Sequence, residues 1–212
     1  MTLEEILRLS PVVPVLVIEE AADAVPLARA LVDGGLKVLE ITLRTPAAID
    51  SIRRIAGEVE GAVVGAGTIT TPAARQAAAD AGARFGVSPG LIEGEGFDGP
   101  VPLLPGVATA TELMWGLRAG YTYFKLFPAT AVGGVDLLKA FASPFPQARF
   151  CPTGGIDADN AGDFLAQPNV VCVGGSWVAP KDAVRAGDWD RVKALAHRAA
   201  ALPRPGLTLA PS

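Results

Sequence analysis

Short apolar runs alternate with longer segments rich in alanine and leucine from one end of the chain to the other. The apolar runs have the length and β-branched content of buried strands, whereas the longer segments have the apolar spacing of helices. The predicted strands are residues 12–17, 37–43, 62–68, 84–88, 101–106, 123–127, 149–153 and 170–174. Strands that alternate with helices in this way predict parallel βαβ units.

Helical patterns follow most of these strands. They begin near Asp23, Pro46, Pro72, Thr109, Gly134 and Asp157, with a last one after Asp188, and the opening MTLEEILRLS predicts an additional amphipathic N-terminal helix. Thr45 and Thr71 each place a hydroxyl before a proline at the first helical position, and Asp157 and Asp188 are similar N-cap candidates. Gly34-Gly35, Gly82 and Gly120 predict helix ends.

Eight such units predict a single-domain (β/α)8 TIM barrel over residues 1–212, since about 200 residues is the lower limit for that α/β fold. An open doubly wound sheet is the main alternative. It would be expected to carry a glycine-rich turn after its first strand, and residues 17–20, VIEE, contain no glycine. The segment LIEGEGFDG at 91–99 has room for one helical turn at most, so we expect the fourth helix to be short or missing.

Composition narrows the functional classes. Apolar residues make up 50% of the chain, charged residues make up 19%, and the net charge is −4, which argues against broad binding to nucleic acid or anionic membranes. There is no apolar run of the roughly 18 residues that a membrane span needs, and the N-terminus lacks the layout of a signal peptide, so a cytoplasmic protein is expected.

Cys151 and Cys172 are expected to be reduced and buried, and His197, the only histidine, to lie on a helix surface. A protein-built metal site is therefore not expected.

Polar residues fall at the C-terminal ends of the predicted strands, where barrels carry their reactive groups. The two-residue period of a strand puts Glu40, Thr42 and Arg44 on one face of strand two. The same period puts Ala62, Val64, Ala66 and Thr68 on one face of strand three, and small residues there would leave open space above the barrel core. Pro89 follows strand four and Thr153 ends strand seven.

Lys125 lies within an otherwise apolar strand, on the same face as Tyr123 and Phe127. Burial of an unpaired ammonium is costly, so a lone strand lysine is usually one whose amine reaches solvent. Glu40 and Arg44 on neighbouring strand ends favour a different interpretation. A buried lysine beside a carboxylate and a guanidinium is the arrangement expected for amine catalysis.

Two glycine pairs follow strands seven and eight, and both have two interpretations. Gly154-Gly155 and Gly174-Gly175 could be simple tight turns. Barrels also bind phosphate at this place, through exposed backbone N–H groups that the Ser176 hydroxyl would join. The presence of both pairs at the expected strands favours phosphate binding.

The chain resembles the bacterial 2-keto-3-deoxy-6-phosphogluconate (KDPG) and 4-hydroxy-2-oxoglutarate (KHG) aldolases, which cleave their substrates through a Schiff base. The segments that carry the resemblance are PVVPVLV (11–17), ALVDGGLKVLEITLRTPAAIDSI (30–52), VGAGTI (64–69), GVSPG (86–90), PLLPGVATATELMWGL (102–117), YFKLFPA (123–129), RFCPTGGI (149–156) and VGGSWV (173–178). VLEITLRT, FKLFPA and CPTGG are specific to the family. Together the segments cover nearly the whole chain in order.

The resemblance implies Lys125 as the Schiff-base lysine and Glu40 as the acid/base residue. It implies that Arg44 and Thr68 hold the pyruvate moiety, with Pro89 and Thr153 nearby. The phosphate end would be formed by Gly154, Gly155, Gly174, Gly175 and Ser176. The implied enzyme uses no metal or other cofactor, takes a small keto-acid substrate and is a homotrimer. Thr130 departs from the family, which frequently has glutamate after FPA.

Two other functions are compatible with the fold. A phosphosugar isomerase or epimerase on the same barrel needs a base but no amine, so it leaves the setting of Lys125 unexplained. A non-catalytic phosphate-ligand binding barrel does not require Glu40, Arg44 and Lys125 together. Borohydride trapping in the presence of pyruvate separates an aldolase from both.

Overall fold

A computed structural model describes residues 1–92 and 98–206. The helices are α1 (Leu3–Arg8), α2 (Ala24–Asp33), α3 (Ala48–Glu58), α4 (Pro72–Asp80), α5 (Ala110–Arg118), α6 (Gly134–Ala142), α7 (Ala161–Leu165), α8 (Lys181–Ala186) and α9 (Trp189–Ala200). The strands are β1 (Val12–Leu16), β2 (Val38–Thr42), β3 (Val63–Gly67), β4 (Gly86–Val87), β5 (Leu103–Leu104), β6 (Gly106–Val107), β7 (Tyr123–Leu126), β8 (Arg149–Pro152) and β9 (Val173–Gly175). The alternation of strands and helices in an α/β fold is confirmed.

All strand pairs in the described part of the chain run parallel. One sheet has the order β5-β4-β3-β2-β1-β9 and the other the order β6-β7-β8. Isolated parallel bridges, Phe150 to Val170 and Thr153 to Gly174, connect β8 with the chain at β9. Because the strands are parallel, their C-terminal ends lie at one edge of the sheets.

The predicted fifth strand, 101–106, is divided at Pro105. Its first half, β5, pairs with β4, and its second half, β6, pairs with β7. Proline has no N–H to donate to a strand ladder, but its carbonyl still accepts a hydrogen bond from the N–H of Lys125 at 2.9 Å. The chain therefore passes directly from one sheet to the other at this residue.

Two hydrophobic cores lie on opposite faces of the strands. The larger core packs the helices against the strands, with Leu39, Phe124 and Phe150 among its members. The smaller core lies on the other face and contains residues of α1 together with strand residues. Its buried members are Leu3, Ile6, Leu7, Val13, Val38, Phe85, Val87, Leu104, Cys151, Val171 and Cys172. The predicted N-terminal helix thus covers the inner face of the strands at the end away from their C-termini.

Two of the predicted helix caps are confirmed and two are wrong. The side chains of Thr71 and Asp188 accept N–H bonds at the starts of α4 and α9. Thr45 instead donates its hydroxyl to the carbonyl of Ile18 at 2.6 Å, and α3 begins three residues later. Asp157 accepts N–H bonds in the turn that precedes α7 rather than at the helix start. A long-range acceptor and a tight turn outweigh the local cap in these two places.

Three further predictions have simple outcomes. The weak fourth helix falls largely on residues 93–97, which lie outside the described residues. Cys151 and Cys172 are free and buried, and His197 is exposed on α9, as predicted. Within the described ranges, no helix is long and apolar enough to span a membrane.

Candidate active site

The side chains and glycines singled out in the sequence meet in one pocket of about 200 Å³ at the C-terminal ends of the strands. The pocket is lined by all eleven of them: Glu40, Arg44, Thr68, Pro89, Lys125, Thr153, Gly154, Gly155, Gly174, Gly175 and Ser176. Val15, Thr42, Phe127 and Ile156 complete the lining. The eleven residues come from loops and strands spread over more than 130 positions of the chain, 40 to 176.

Lys125 and Glu40 form a buried ion pair at the floor of this pocket. The Lys125 Nζ donates to Glu40 Oε1 at 3.3 Å, and the two side chains are 7% and 4% exposed. The Nζ also lies 5.1 Å from the centre of the Phe127 ring. Loss of one partner would leave a buried charge without its counter-charge, so each residue is needed to keep the other in place.

Room for the Glu40 carboxylate is made by a glycine on the next strand. Glu40 pairs in register with Gly65, and a Cβ built on Gly67 would collide with Glu40 Oε1. The predicted orientation of strand three is therefore wrong. Val64 and Ala66 pack in the helix-side core, whereas Gly65 faces Phe85 of the smaller core and Gly67 faces Glu40.

Thr68 reaches the pocket because the backbone turns after β3 ends at Gly67. Its φ is 60°, the only positive φ of a non-glycine residue in the described chain. A β-branched residue in this left-handed region is a genuine outlier, and such strain costs on the order of 1–3 kcal/mol. The next residue, Ile69, is held by a 3.0 Å hydrogen bond from its N–H to the carbonyl of Val87. The strained residue is therefore fixed at the pocket wall between β3 and β4.

Arg44 and Thr42 continue the face of Glu40, as the strand period predicts. Thr42 is buried and donates its hydroxyl to the carbonyl of Leu16 at 2.9 Å, which ties β2 to β1. Arg44 is exposed and lines both this pocket and a neighbouring cavity of about 550 Å³. A guanidinium at the mouth of the pocket can bind both oxygens of a carboxylate at once.

The Gly154-Gly155 turn has a backbone that only glycine adopts readily. The φ angles are 101° and 73°, and a Cβ on Gly155 would collide with Thr130. Thr153, the preceding residue, is buried and bridges to Gly174 on the neighbouring strand. The two glycine pairs are thereby brought side by side, with the exposed Ser176 next to them. Backbone N–H groups and a hydroxyl gathered in this way can bind a phosphate.

Sequence reasoning did not assign a role to Val15, Phe127 or Ile156. Phe127 could have been found, since it shares the strand face of Lys125, but nothing local distinguishes Val15 or Ile156 from other apolar residues. Within the described residues, no cluster of three or more His, Cys, Asp or Glu side chains could hold a metal ion.

Comparison with known proteins gives consistent matches over most of the chain. The family model for KDPG and KHG aldolase matches residues 3–195. The KHG/KDPG aldolase of Escherichia coli strain K12 is 52% identical over 199 residues, which cover 92% of this chain and 93% of that protein. The 2-dehydro-3-deoxy-phosphogluconate aldolase of Dickeya dadantii is 53% identical over 201 residues, with 93% and 94% covered.

Solved structures give the same result. The KDPG aldolase of Legionella pneumophila, with pyruvate captured as a covalent carbinolamine intermediate, superposes with a TM-score of 0.91 at 45% identity and covers 93% of this chain and 98% of that one. The KDPG aldolase of Zymomonas mobilis with 3-phosphoglycerate has a TM-score of 0.91 at 48% identity, with 97% and 98% covered.

Proposed function

This chain belongs to the KDPG and KHG aldolase family, and we propose that Lys125 and Glu40 carry out its reaction as Schiff-base lysine and acid/base residue. The activity is that of a carbon–carbon lyase. It cleaves 2-keto-3-deoxy-6-phosphogluconate to pyruvate and glyceraldehyde 3-phosphate, and 4-hydroxy-2-oxoglutarate to pyruvate and glyoxylate. The observation that carries the assignment is the buried Lys125–Glu40 pair, 3.3 Å apart, at the floor of the pocket. The comparisons do not favour an isomerase, an epimerase or a non-catalytic barrel.

The reaction begins when the Lys125 amine, once its proton has left, adds to the C2 ketone. The resulting carbinolamine loses water and becomes an iminium ion. The nearby Glu40 carboxylate can receive the ammonium proton, because its Oε1 is already the hydrogen-bond acceptor of Nζ. The protonated Glu40 then gives this proton to the departing hydroxyl of the carbinolamine, so that water leaves, the iminium ion forms and Glu40 is a carboxylate again.

Bond cleavage then requires a second proton transfer. Glu40, directly or through one water, takes the proton of the C4 hydroxyl, and the C4 oxygen forms the aldehyde as the C3–C4 bond breaks. The electrons of that bond pass to C3 and into the iminium, which gives an enamine. Return of the proton to C3 and addition of water at C2 release pyruvate and regenerate the lysine.

The rest of the pocket would hold the two ends of the substrate. Arg44 and Thr68 would bind the pyruvate carboxylate, with Pro89 and Thr153 shaping the wall beside it. At the other end, the N–H groups of the glycine pairs and the Ser176 hydroxyl would bind the phosphate. The residues at this phosphate end are Gly154, Gly155, Gly174, Gly175 and Ser176.

Trapping by borohydride in the presence of pyruvate tests the assignment. Reduction of the imine should inactivate the enzyme and leave one reduced pyruvate adduct on the peptide that contains Lys125, as mass spectrometry would detect. Lys139, which is exposed on α6, provides a control: Lys139→Ala should be trapped normally, whereas Lys125→Arg should not. An adduct on another lysine would overturn the assignment.

We also propose that the two sheets form one closed (β/α)8 barrel, the single domain of residues 1–212. The passage of the chain through Pro105 and the bridges between β8 and β9 support closure on both sides. The separate inner core under α1 supports it as well. Hydrogen exchange should then find no unprotected edge strand.

The protein is further proposed to act as a cytoplasmic homotrimer. Met114 and Trp115 support association, because both are more than half exposed on α5 and exposed large apolar side chains favour contact with another chain. Sedimentation equilibrium would measure the mass of the assembly, and cell fractionation its location. A monomer at micromolar concentration would contradict the trimer.

A further inference from the structure

The two carbonyl groups of the Gly154-Gly155 turn accept hydrogen bonds from Thr130 and Asn160, which lie outside the turn. The Gly154 carbonyl accepts hydrogen bonds from the N–H of Thr130 at 3.1 Å and from its Oγ1 at 3.3 Å. The Gly155 carbonyl accepts one from Asn160 Nδ2 at 2.9 Å. Thr130 belongs to the loop after the lysine strand, and Asn160 immediately precedes α7. The turn is therefore held from two independent elements.

The orientation of the carbonyls also fixes that of the N–H groups. Across a planar trans peptide, the carbonyl and the following N–H point in opposite directions. Because the Gly154 carbonyl points at Thr130, the N–H of Gly155 points away from it. Similarly, the N–H of Ile156 points away from Asn160. Within residues 1–92 and 98–206 neither N–H has a hydrogen-bond acceptor, and both residues line the pocket.

Asn160 is itself positioned by a reciprocal pair of hydrogen bonds. Its Oδ1 accepts the N–H of Asp157 at 3.1 Å, and Asp157 Oδ1 accepts the N–H of Asn160 at 3.2 Å. The amide orientation is thereby set, since Oδ1 faces Asp157 and Nδ2 faces Gly155. The loop that carries Thr130 adds a further hydrogen bond, from the N–H of Ala129 to the carbonyl of Thr153 at 2.8 Å.

We propose that Thr130 and Asn160 are positioning residues that determine the preference of this site for a phosphorylated substrate. They do not touch the substrate. They hold the Gly154 and Gly155 carbonyls away from the pocket, so that the N–H groups of Gly155 and Ile156 face a single anion. The inference rests on the proposed function and goes beyond it, because neither residue lines the pocket.

The test for Thr130 compares two substitutions and two substrates. Thr130→Val keeps the shape and the backbone bond but removes the Oγ1 donor, whereas Thr130→Ser keeps the donor. We expect Thr130→Val to raise KM for the phosphorylated six-carbon substrate by roughly 3- to 10-fold, the effect of one hydrogen bond, with kcat nearly constant. Thr130→Ser should restore most of the loss. For unphosphorylated 4-hydroxy-2-oxoglutarate, kcat/KM should change by less than about twofold, because this substrate has no phosphate to bind.

The test for Asn160 uses inorganic phosphate as the probe. Inhibition of 4-hydroxy-2-oxoglutarate cleavage by phosphate reports the anion site without the phosphorylated substrate. Asn160→Ala should weaken this inhibition by roughly 3- to 10-fold. Gln167→Ala is the matched control, because Gln167 is another amide near α7 that donates to a backbone carbonyl, that of Asp163, but does not contact the turn. Phosphate should inhibit the Gln167→Ala variant as strongly as it inhibits the unmodified enzyme.

Two outcomes would overturn the inference. One is a Thr130→Val variant that resembles the unmodified enzyme on both substrates, and the other is an equal loss on both, which would indicate a general effect on folding. Failure of the proposed function would be distinguishable from either. In that case the unmodified protein would not form an imine with pyruvate at Lys125, whatever its response to phosphate.

Discussion

Lys125 Nζ and Glu40 Oε1 lie 3.3 Å apart, although 85 residues separate them in the sequence. β2 and β7 belong to different sheets, and both side chains line the same pocket. Both are almost completely buried, so solvent and salt screen the interaction much less than they would at the surface. A nucleophile and its proton acceptor are thus brought together in a pocket that also contains a guanidinium and exposed N–H groups.

Replacement of Lys125 should abolish aldol cleavage. Lys125→Ala removes the nucleophile, and Lys125→Arg should fail as well, since a guanidinium stays protonated and cannot form the imine. Steady-state cleavage rates of the two variants test this prediction, and circular dichroism shows whether each variant is folded. A folded Lys125→Ala protein with more than a small residual rate would rule out the Schiff-base mechanism.

Glu40→Gln should separate imine formation from turnover. Borohydride should still trap the imine between Lys125 and pyruvate. The rate of aldol cleavage should fall by roughly 10²- to 10⁴-fold, the range for loss of a general acid–base. The amide keeps the size of the side chain, so the space beside Gly67 remains filled. If a folded variant can no longer be trapped, Glu40 acts before the imine forms rather than after it.

Ser176→Ala should discriminate between the two substrates. Loss of one hydrogen bond to a charged phosphate should reduce kcat/KM for the phosphorylated substrate by roughly 10- to 100-fold. The value for unphosphorylated 4-hydroxy-2-oxoglutarate should hardly change. Similar losses for both would indicate that the loop only shapes the rim of the pocket.

The strained backbone at Thr68 predicts that two substitutions of this residue differ in stability although both lower activity. Thr68→Gly and Thr68→Ala both remove the hydroxyl and should both lower the cleavage rate, but only glycine relieves the positive φ of 60°. Thr68→Gly should therefore be more stable than Thr68→Ala by about 1 kcal/mol, after allowance for the greater freedom of glycine in the unfolded chain. Urea denaturation of the two variants measures the difference. Equal midpoints would show that the backbone relaxes here without cost.

The Tyr123–Glu4 contact predicts a pH dependence of stability. Burial and the hydrogen bond to Glu4 raise the pKa of Tyr123 to about 12 from 10.0, so its stabilising contribution is complete below pH 10 and is lost as the pH rises through about 12. The same bond, together with Arg8, lowers the pKa of Glu4, whose contribution is lost as the pH falls through that lowered value. Tyr123→Phe should remove this contribution to the alkaline dependence. The difference in unfolding free energy between the two proteins should shrink between pH 10 and 12, and a constant difference would contradict the assignment.

The sequence by itself determined which segments form strands and helices and where the unusual side chains lie. Apolar periodicity depends on local burial, which explains why the strand that carries Lys125 and the face shared by Glu40 and Arg44 could be predicted. The eleven predicted site residues follow strand ends, which parallel strands place together, and the resemblance to the aldolase family implied their individual roles. Each of these features is a property of one segment or of the fold class.

Only the tertiary structure decided the features that depend on two distant segments. The division of a strand at Pro105 follows from pairing with two different neighbours, and Thr45 bonds to Ile18 rather than to its own helix. Strand three faces the opposite way from its prediction, because Glu40 needs the space that Gly67 leaves. The contacts of Thr130 and Asn160 with the glycine turn likewise join separate loops. Local pattern carries no information about such contacts, since the partner of a polar group is set by where packing brings the rest of the chain.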